Sequence, residues 1–332
     1  MKKFLITLLY VLSSVLALCS ILSIFRNVEI RYLKMLDFPR IQLFIASLSS
    51  LILLWITTKK WKWFNYLLVF GLFIGLLIHS IFLINYTQLV PVDVPWAKNI
   101  RSSDTQLSIL LSNVKMTNKK AQPLIDLIQS KKPDLVLAME VNAWWDKELK
   151  VLEKDYPYSH HTPNEVAYGM VLYSKLPITN IEVNYLNNKN VPSFVSTIAL
   201  TEKKHIIFHA THPVPPTYFK DLPDNEGQQE HALKKLGHHI EDQELPIIVA
   251  GDLNDVVWSY VDDLTDTKNK LYDVRVGRGF YNSYNADNFL MRWPLDHVFV
   301  TKEFQIRKLE RLPEISSDHF PIYLELILDD HD

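Results

Sequence analysis

Three long apolar stretches dominate the first part of the chain, at residues 4–24, 41–57 and 64–84. Each is about long enough to cross the hydrocarbon core of a bilayer as a helix. The first follows Lys2 and Lys3, as in a signal peptide, but its apolar run is long for one and two more stretches follow. We therefore interpret it as an uncleaved anchor and predict that residues 1–90 form a membrane anchor with three transmembrane helices.

Basic residues flank these stretches almost evenly. If the three stretches span a membrane, five Lys or Arg residues lie on the same side of it as the N-terminus and four lie on the opposite side. None falls between residues 84 and 97. The positive-inside rule then favours a cytoplasmic N-terminus and places the rest of the chain outside the cytoplasm, as a multi-pass protein of the cell membrane. His79 lies inside the third stretch, where an ionisable group can be functional. A neutral histidine that faces another span is the simpler interpretation.

After residue 104 the pattern changes to short β-branched runs bounded by Pro or Gly, which are typical of buried strands. Strands are predicted over 107–114, 134–141, 168–174, 194–200, 204–213, 246–250, 296–301 and 321–324, and helices over 119–130 and 228–240. This is too strand-rich for a doubly wound sheet and fits two packed sheets with helices outside. Residues 91–103 are predicted to be an extended linker, because each Pro disfavours helix at the preceding residue. The globular domain is predicted over 104–328.

Charge is distributed unevenly along the chain. The chain has 35 basic and 37 acidic residues, of which nine basic and three acidic residues lie in 1–97. Residues 98–332 therefore contain 26 basic and 34 acidic residues, a formal charge near −8. An acidic domain weighs against non-specific binding to a nucleic-acid backbone, which needs a positive surface. A nuclease that takes its positive charge from a bound metal stays open. The single cysteine, Cys19, excludes an intrachain disulfide and a zinc–thiolate site.

Polar side chains lie at the ends of the predicted strands. They are, in chain order, Asn113, Glu140, His212, Asp252, Asn254, Asp296, Asp318 and His319. Polar groups at the ends of buried strands are a common way to build an active site on a rigid scaffold. Burying an unpaired carboxylate is costly, so an apolar run that ends in Glu140 is unusual. Each signal is weak alone, and the set predicts one site.

The set suits hydrolysis of a phosphoester, in which charge is neutralised, a water is aimed and deprotonated, and the leaving oxygen is protonated or bound. Glu140 and Asn113 could supply the few oxygen ligands that Mg²⁺ takes from a protein. Asp252 with Asn254 could orient the attacking water.

Two imidazoles complete this chemistry. His319 could pair with a carboxylate, for which Asp296 is a candidate, and His212 could serve the phosphate or the leaving group. Taken alone, each of these residues is more often solvated or structural, so the prediction of a metal-dependent hydrolase depends on their combination.

The order of these residues resembles the endonuclease/exonuclease/phosphatase superfamily. The resemblance covers about residues 107–326 and is most specific at Gly-Asp-Leu-Asn, 251–254, and at Ser-Asp-His-Phe-Pro, 317–321. It implies the α/β class, as a four-layer α/β/β/α sandwich, here preceded by the three transmembrane helices. It also implies a metal-dependent hydrolase of ester bonds, either a phosphodiesterase or phosphatase or a nuclease.

The same resemblance implies the roles of the residues. The metal ligands, for Mg²⁺ or Mn²⁺, are Asn113, Glu140 and Asp318. The catalytic residues are His212, Asp252, Asn254, Asp296 and His319. Asp252 and Asn254 orient water and bind phosphate, and Asp296 supports His319, whose role as base or as phosphate ligand stays open.

Two departures from the family pattern are visible. Met139 replaces a frequent Gln before the metal-binding Glu, which removes a possible hydrogen bond, and Ser316 replaces a Gly before Ser-Asp-His. The stretches 212–216 (His-Pro-x-Pro-Pro) and 252–259 resemble the bacterial membrane-tethered branch in particular.

The favoured function is a membrane-anchored, Mg²⁺-dependent phosphoesterase that hydrolyses a phosphate ester or pyrophosphate bond, with lipid-linked phosphoesters among its substrates. The alternative is a metal-dependent endonuclease or exonuclease acting on DNA or RNA. It would need a basic groove, to which Arg275, Arg278 and Arg292 could contribute unless they form ion pairs on a loop. A catalytically silent binding module is disfavoured, because none of the matched polar positions is missing.

Overall fold

The computed structural model describes residues 1–26, 31–98, 101, 104–186, 189–215, 228–241, 243–259 and 265–329. The chain forms two compact units, Met1–Val90 and Pro91–Asp332, which are called here the N-terminal unit and the C-terminal unit. Within the predicted linker, residues 99–100 and 102–103 lie outside the described residues.

The N-terminal unit is helical. Its helices are α1 (Lys2–Leu22), α2 (Arg31–Lys34), α3 (Arg40–Thr57) and α4 (Trp63–Leu83), with a 3₁₀ turn at Ile84–Tyr86. In the described residues, α1, α3 and α4 with its turn are long and apolar enough to cross a membrane. Small residues let α1 and α4 approach closely, since a Cβ added to Gly71 would lie 3.3 Å from that of Ala17. Such contacts are typical of packed transmembrane helices.

A polar cluster is buried inside this helical unit. The guanidinium of Arg40 donates to the carbonyl of Ser23 at 2.9 Å, pairs with Asp37, and lies over the ring of Phe82 at 3.8 Å. Its Nη1 is 3.5 Å from Nδ1 of His79. His79 thus faces a neighbouring segment, as the simpler interpretation of the sequence expects.

The C-terminal unit contains two mixed sheets. The first has the order β11-β12-β1-β2-β4-β3 and the second has the order β5-β6-β7-β8-β10-β9. The strands are β1 (Thr105–Asn113), β2 (Leu135–Met139), β3 (Tyr158–Thr162), β4 (Met170–Ser174), β5 (Ile178–Asn184), β6 (Ser193–Ala199), β7 (His205–Thr211), β8 (Ile247–Asp252), β9 (Tyr272–Asp273), β10 (Asp296–Val300), β11 (Phe304–Arg311) and β12 (Ile322–Leu328).

Apolar side chains from both sheets meet in one central core, which includes Leu137 and Phe208. Helices cover the outer faces, namely α5 (Gln122–Lys131) and α6 (Ala143–Leu149) on the first sheet and α7 (Gln228–Glu241) on the second. The apolar spacing along each helix buries one stripe against its sheet. The predicted four-layer α/β/β/α sandwich is therefore confirmed.

Two parallel strand pairs bring the polar strand ends together. β1 is parallel to β2 in one sheet, and β7 is parallel to β8 in the other. Because the two strands of each pair are parallel, their carboxyl ends lie at the same sheet edge. Parallel strands need a crossover connection. Antiparallel β10 adds its first residue to this edge, since Asp296 is paired with Asp252.

The segment before β1 packs on the rest of the C-terminal unit. Val94 is 2% exposed and belongs to the central core. The N–H of Ala97 donates to the carbonyl of Ile306 at 2.8 Å, and the N–H of Ile306 donates to that of Pro95 at 2.9 Å. The described start of the predicted linker is therefore extended backbone that docks beside β11.

Candidate active site

Asn113 connects the edges of the two sheets. Its side chain is buried at the end of β1, and its Nδ2 donates to Oε1 of Glu140 at 2.9 Å and to Oδ2 of Asp252 at 3.0 Å. The N–H of Lys115 donates to the Asn113 Oδ1 at 3.0 Å and fixes the orientation of the amide. One side chain therefore positions two carboxylates that belong to different sheets.

Glu140 follows β2 in a left-handed backbone conformation, with φ of 62°. Its second carboxylate oxygen accepts the N–H of Met116 at 3.0 Å. Burial raises the pKa of the Glu140 carboxyl and Asp318 adds to that effect, whereas the hydrogen bonds from Asn113 and Met116 oppose it. A carboxylate whose charge is this costly is stabilised by a nearby cation.

Asp252 is fully buried at the end of β8 and is held from two sides. Its Oδ1 accepts the N–H of Asn254 at 2.8 Å, and its own N–H donates to the sulfur of Met139 at 3.1 Å. Asn254 is anchored in turn, because its Nδ2 donates to the carbonyl of Pro213 at 2.9 Å. Met139, which replaces the family's frequent Gln, therefore still accepts a hydrogen bond at the site.

Asp296 and His319 form a buried pair. Oδ2 of Asp296 is 2.8 Å from Nδ1 of His319, whose Nε2 lies 3.5 Å from Oδ2 of Asp252. Burial alone would lower the pKa of His319, but the charges of Asp296 and Asp252 outweigh it and raise that pKa to about 10. The ring is therefore a cation at neutral pH, with a proton on Nε2 that faces Asp252.

His212 is the second imidazole of the site. It is 2% exposed, its Nε2 is 3.8 Å from Oδ2 of Asp252, and its ring centroid is 5.5 Å from that of Tyr168. Burial lowers its pKa, so the ring is neutral. Its Nδ1 has no hydrogen-bond partner among the described side chains and backbone groups. The gap to Asp252 is too long for a direct hydrogen bond and leaves Nε2 available to a ligand.

Asp318 lies at the mouth of the site with 23% of its side chain exposed. Its Oδ2 is 3.4 Å from Nζ of Lys115, which is also 3.5 Å from Oδ2 of Asp287. Lys115 and Tyr284, whose ring lies 5.0 Å from that of His319, were not predicted from the sequence. The position of Lys115 two residues after Asn113 was the available signal, whereas no sequence signal pointed to Tyr284.

Asn113, Glu140 and Asp318 fit a divalent cation by their chemistry. They offer hard oxygen donors, and the mutual repulsion of Glu140 and Asp318 would be relieved by positive charge. Within the described residues, Asp252, Asp296 and His319 also bring ligand atoms within 4.8 Å of one another. In this group Nδ1 of His319 is already bonded to Asp296, so Nε2 is the ring nitrogen that could reach a ligand.

The three arginines that sequence analysis singled out are engaged within the unit. Arg275 pairs with Asp273 at 3.0 Å and donates to the carbonyl of Asp296 at 2.9 Å. Arg278 is buried, with its guanidinium 4.3 Å from the ring of Trp96. Arg292 donates to backbone carbonyls of its own loop and is partly exposed. All three therefore have partners within the unit, and Arg275 and Arg278 are also buried.

A two-sheet sandwich whose joined edges carry acidic, amide and imidazole groups defines a class of phosphoester hydrolases. The family model for the Endonuclease/Exonuclease/phosphatase family matches residues 110–319, and the chain belongs to this family. Its members hydrolyse phosphoester bonds and are in general dependent on divalent metals.

Solved structures of low sequence identity share the fold. TDP2 of D. rerio, complexed with a single-strand DNA product, is 15% identical, with a TM-score of 0.56 over 67% of this chain and 99% of that chain. A family protein from Bacteroides thetaiotaomicron is 17% identical, with a TM-score of 0.52 over 68% and 99%. The human Nocturnin catalytic domain with bound sulfate is 16% identical, with a TM-score of 0.52 over 67% and 94%. A search of curated protein sequences finds no match.

Proposed function

We propose that the chain is a membrane-anchored, divalent-metal-dependent phosphoesterase that hydrolyses a phosphate ester or pyrophosphate bond of a lipid-linked substrate. The observation that carries the proposal is the buried network in which Asn113 joins Glu140 and Asp252 beside the Asp296–His319 pair. Three helices apolar enough to cross a membrane lie in the same chain.

Asn113, Glu140 and Asp318 would hold Mg²⁺ or Mn²⁺. When bound, the ion supplies positive charge for the phosphoryl and leaving oxygens. Lys115 adds a second positive charge beside Asp318, where it can bind a phosphate oxygen.

Asp252 is the residue suited to orient the attacking water and take its proton. Its Oδ2 faces the amide of Asn113 and the Nε2 atoms of His212 and His319, so a water beside it has donors on several sides. His319 carries a proton on Nε2 and is suited to donate it to a phosphate oxygen, which favours the role of phosphate ligand over that of base. Asp296 fixes the orientation of that ring.

The alternative is a nuclease, which draws support from the complex of TDP2 of D. rerio with a DNA product. Two observations favour a substrate other than nucleic acid. Residues 98–332 are acidic, and Arg275 and Arg278 are engaged with Asp273 and Trp96 inside the unit. Backbone binding to DNA or RNA would require a positive groove.

The test uses the purified full chain in detergent with Mg²⁺. Substrates are plasmid DNA, an isoprenyl pyrophosphate, a sphingomyelin and an aryl phosphodiester. Variants are Glu140→Gln and His319→Gln, with Glu241→Gln and His238→Gln as matched controls, since both control side chains are highly exposed on α7.

We expect turnover of a lipid substrate that both site variants lose and both controls retain, with chelator abolishing it. Chelator-sensitive nicking of DNA without lipid turnover would replace the proposal with the nuclease alternative. Full activity in Glu140→Gln would show that the metal assignment is wrong.

We propose further that the C-terminal unit lies outside the cytoplasm. Because Cys19 is the only cysteine, a Cys19→Ser chain can carry one reporter thiol. Val151→Cys, at a position 43% exposed, should react with a membrane-impermeant maleimide in intact cells. Reaction only after the cells are lysed would place the unit in the cytoplasm.

A further inference from the structure

A loop between β9 and β10 exposes adjacent apolar side chains on the C-terminal unit. The exposed fractions are 77% for Phe289, 71% for Leu290 and 42% for Met291. Other exposed large apolar residues of this unit, such as Val151 and Leu245, are isolated in the sequence. Single exposed apolar residues are ordinary, whereas a contiguous group marks a binding surface. Residues 288–291 are called here the apolar tip.

The loop holds the apolar tip in a defined conformation. Oδ1 of Asn285 accepts the N–H of Asn288 at 3.2 Å, and Oδ1 of Asn288 accepts the N–H of Leu290 at 3.0 Å. At the base of the loop, Tyr284 and Trp293 form a β-bridge, with ring centroids 5.9 Å apart and planes 16° apart. The apolar side chains are therefore presented to the outside by a hydrogen-bonded turn.

The same loop contacts the active site. The N–H of Ala286 donates to the carbonyl of Asp318 at 2.7 Å, and the ring of Tyr284 lies 5.0 Å from that of His319. A molecule bound by the apolar tip is consequently close to the mouth where Asp318 is exposed.

Three basic side chains lie near this mouth. The guanidinium groups of Arg292 and Arg311 lie 4.8 Å and 4.4 Å from the ring of Phe320, and Lys115 lies beside Asp318. Asp287 is an acidic group of the same loop, with 64% of its side chain exposed, and its Oδ2 is 3.5 Å from the Lys115 ammonium. Arg292, Arg311 and Lys115 are called here the basic collar. Apolar groups above cations are the pattern of a segment that enters a membrane interface.

We propose that the apolar tip inserts into the headgroup–acyl boundary of a bilayer and that the basic collar binds anionic lipid headgroups, so that the site draws its phosphoester from the membrane. This inference rests on the proposed function and specifies how the lipid reaches the site. Of the three exposed apolar residues only Phe289 has a ring on which a nucleobase could stack, whereas Leu290 and Met291 have none, which favours a lipid over single-stranded nucleic acid as the occupant. Only residues 87–93 separate the third apolar helix from Val94, so an inserted helix keeps the unit within reach of a bilayer.

The test measures where the apolar tip lies in the full-length protein. A Cys19→Ser chain carrying Leu290→Cys is labelled with an environment-sensitive fluorophore and reconstituted into vesicles with anionic phosphatidylglycerol. Lipids bearing spin labels at different acyl depths then quench the fluorophore. A second chain carries Phe289→Cys instead, in case one substitution disturbs the loop. A third chain carries Leu245→Cys as the matched control, because Leu245 is 40% exposed elsewhere on the unit.

We expect blue-shifted emission and strong quenching by shallow spin labels at positions 289 and 290, and neither at position 245. Equal, unquenched emission at all three positions would overturn the proposal. Shielding of the two tip labels by a single-stranded oligonucleotide, without quenching by lipid labels, would overturn it in favour of a nucleic-acid surface. The measurement requires no turnover, so it stays decisive even if the proposed hydrolytic activity is absent.

Discussion

Replacing Asp296 with Asn tests whether this residue positions and charges His319. The substitution keeps the size of the side chain but removes the negative charge that lies 2.8 Å from Nδ1 of the imidazole. A hydrogen bond to a charged group contributes about 1.5–3 kcal/mol. If that stabilisation serves the transition state, kcat/KM falls roughly 10- to 150-fold in Asp296→Asn.

The pH profile separates this role from a merely structural one. Asp296 and Asp252 hold the pKa of His319 at about 10, above its ordinary value of 6.5, so the imidazolium persists through neutral pH and is lost as the pH rises through 10. With Asp296 neutralised the pKa falls, and the basic limb of kcat/KM should move toward neutral pH. In the unsubstituted protein, the stability that this ion pair contributes is fully present below pH 6.5 and should be lost as the pH rises through 10.

The assay is kcat/KM of the full chain between pH 5 and 10 on whichever substrate the panel selects, with thermal unfolding measured in parallel. Asp155→Asn is the matched control, because that side chain is 56% exposed and lies outside the site. A normal rate with an unmoved basic limb in Asp296→Asn would refute the reasoning, and a rate loss explained by unfolding alone would reduce Asp296 to a structural residue.

Three further substitutions test particular contacts. Met139→Leu removes the sulfur that accepts the N–H of Asp252, and should lower thermal stability by an amount equivalent to about 1 kcal/mol, whereas an unchanged melting temperature would show that the contact is dispensable. Gly251→Ala should prevent folding or abolish activity, since an added Cβ would lie 1.8 Å from the carbonyl oxygen of Thr211 in a backbone with φ of 153°; an active, stable variant would contradict this geometry. Lys115 is partly exposed, and its ammonium competes with a metal ion for the carboxylate of Asp318. Lys115→Met should therefore lower the half-saturating Mg²⁺ concentration roughly two- to fivefold, and a rise would show that the lysine assists metal binding.

The strand ends could be predicted because each carries a polar residue next to an apolar run. Glu140 and Asp252 lie at or directly after strands that are buried throughout, and Asn113 ends a strand whose last five residues are buried. A buried strand is legible in one dimension, because the surrounding core requires apolar side chains at nearly every position. The sandwich architecture followed from the number of such strands.

The strands at the margins of the two sheets were not predicted from the sequence, because they are not buried throughout. β3, β5 and β11 lie on the outside of their sheets and expose many polar side chains, as in Tyr158–Thr162 and Phe304–Arg311. Their hydrophobic alternation is weak, so they could not be told from loops. The contribution of Lys115 and Tyr284 was likewise hidden, because it depends on contacts with residues far along the chain.

The two halves of the chemistry belong to different sheets. Asn113 and Glu140 extend from the first sheet, and Asp252 and Asp296 extend from the second. The layer of side chains containing Leu137 and Phe208 lies between the two sheets. Protein interiors are packed as densely as organic crystals and yield little under strain. This layer therefore acts as a spacer of fixed thickness, and a methylene gained or lost deep inside it would change the gap across which the carboxylates face each other. The catalytic rate should therefore respond to small changes in core packing. Substitutions in one sheet should persist in evolution mainly when a substitution in the opposite sheet compensates for the change in volume.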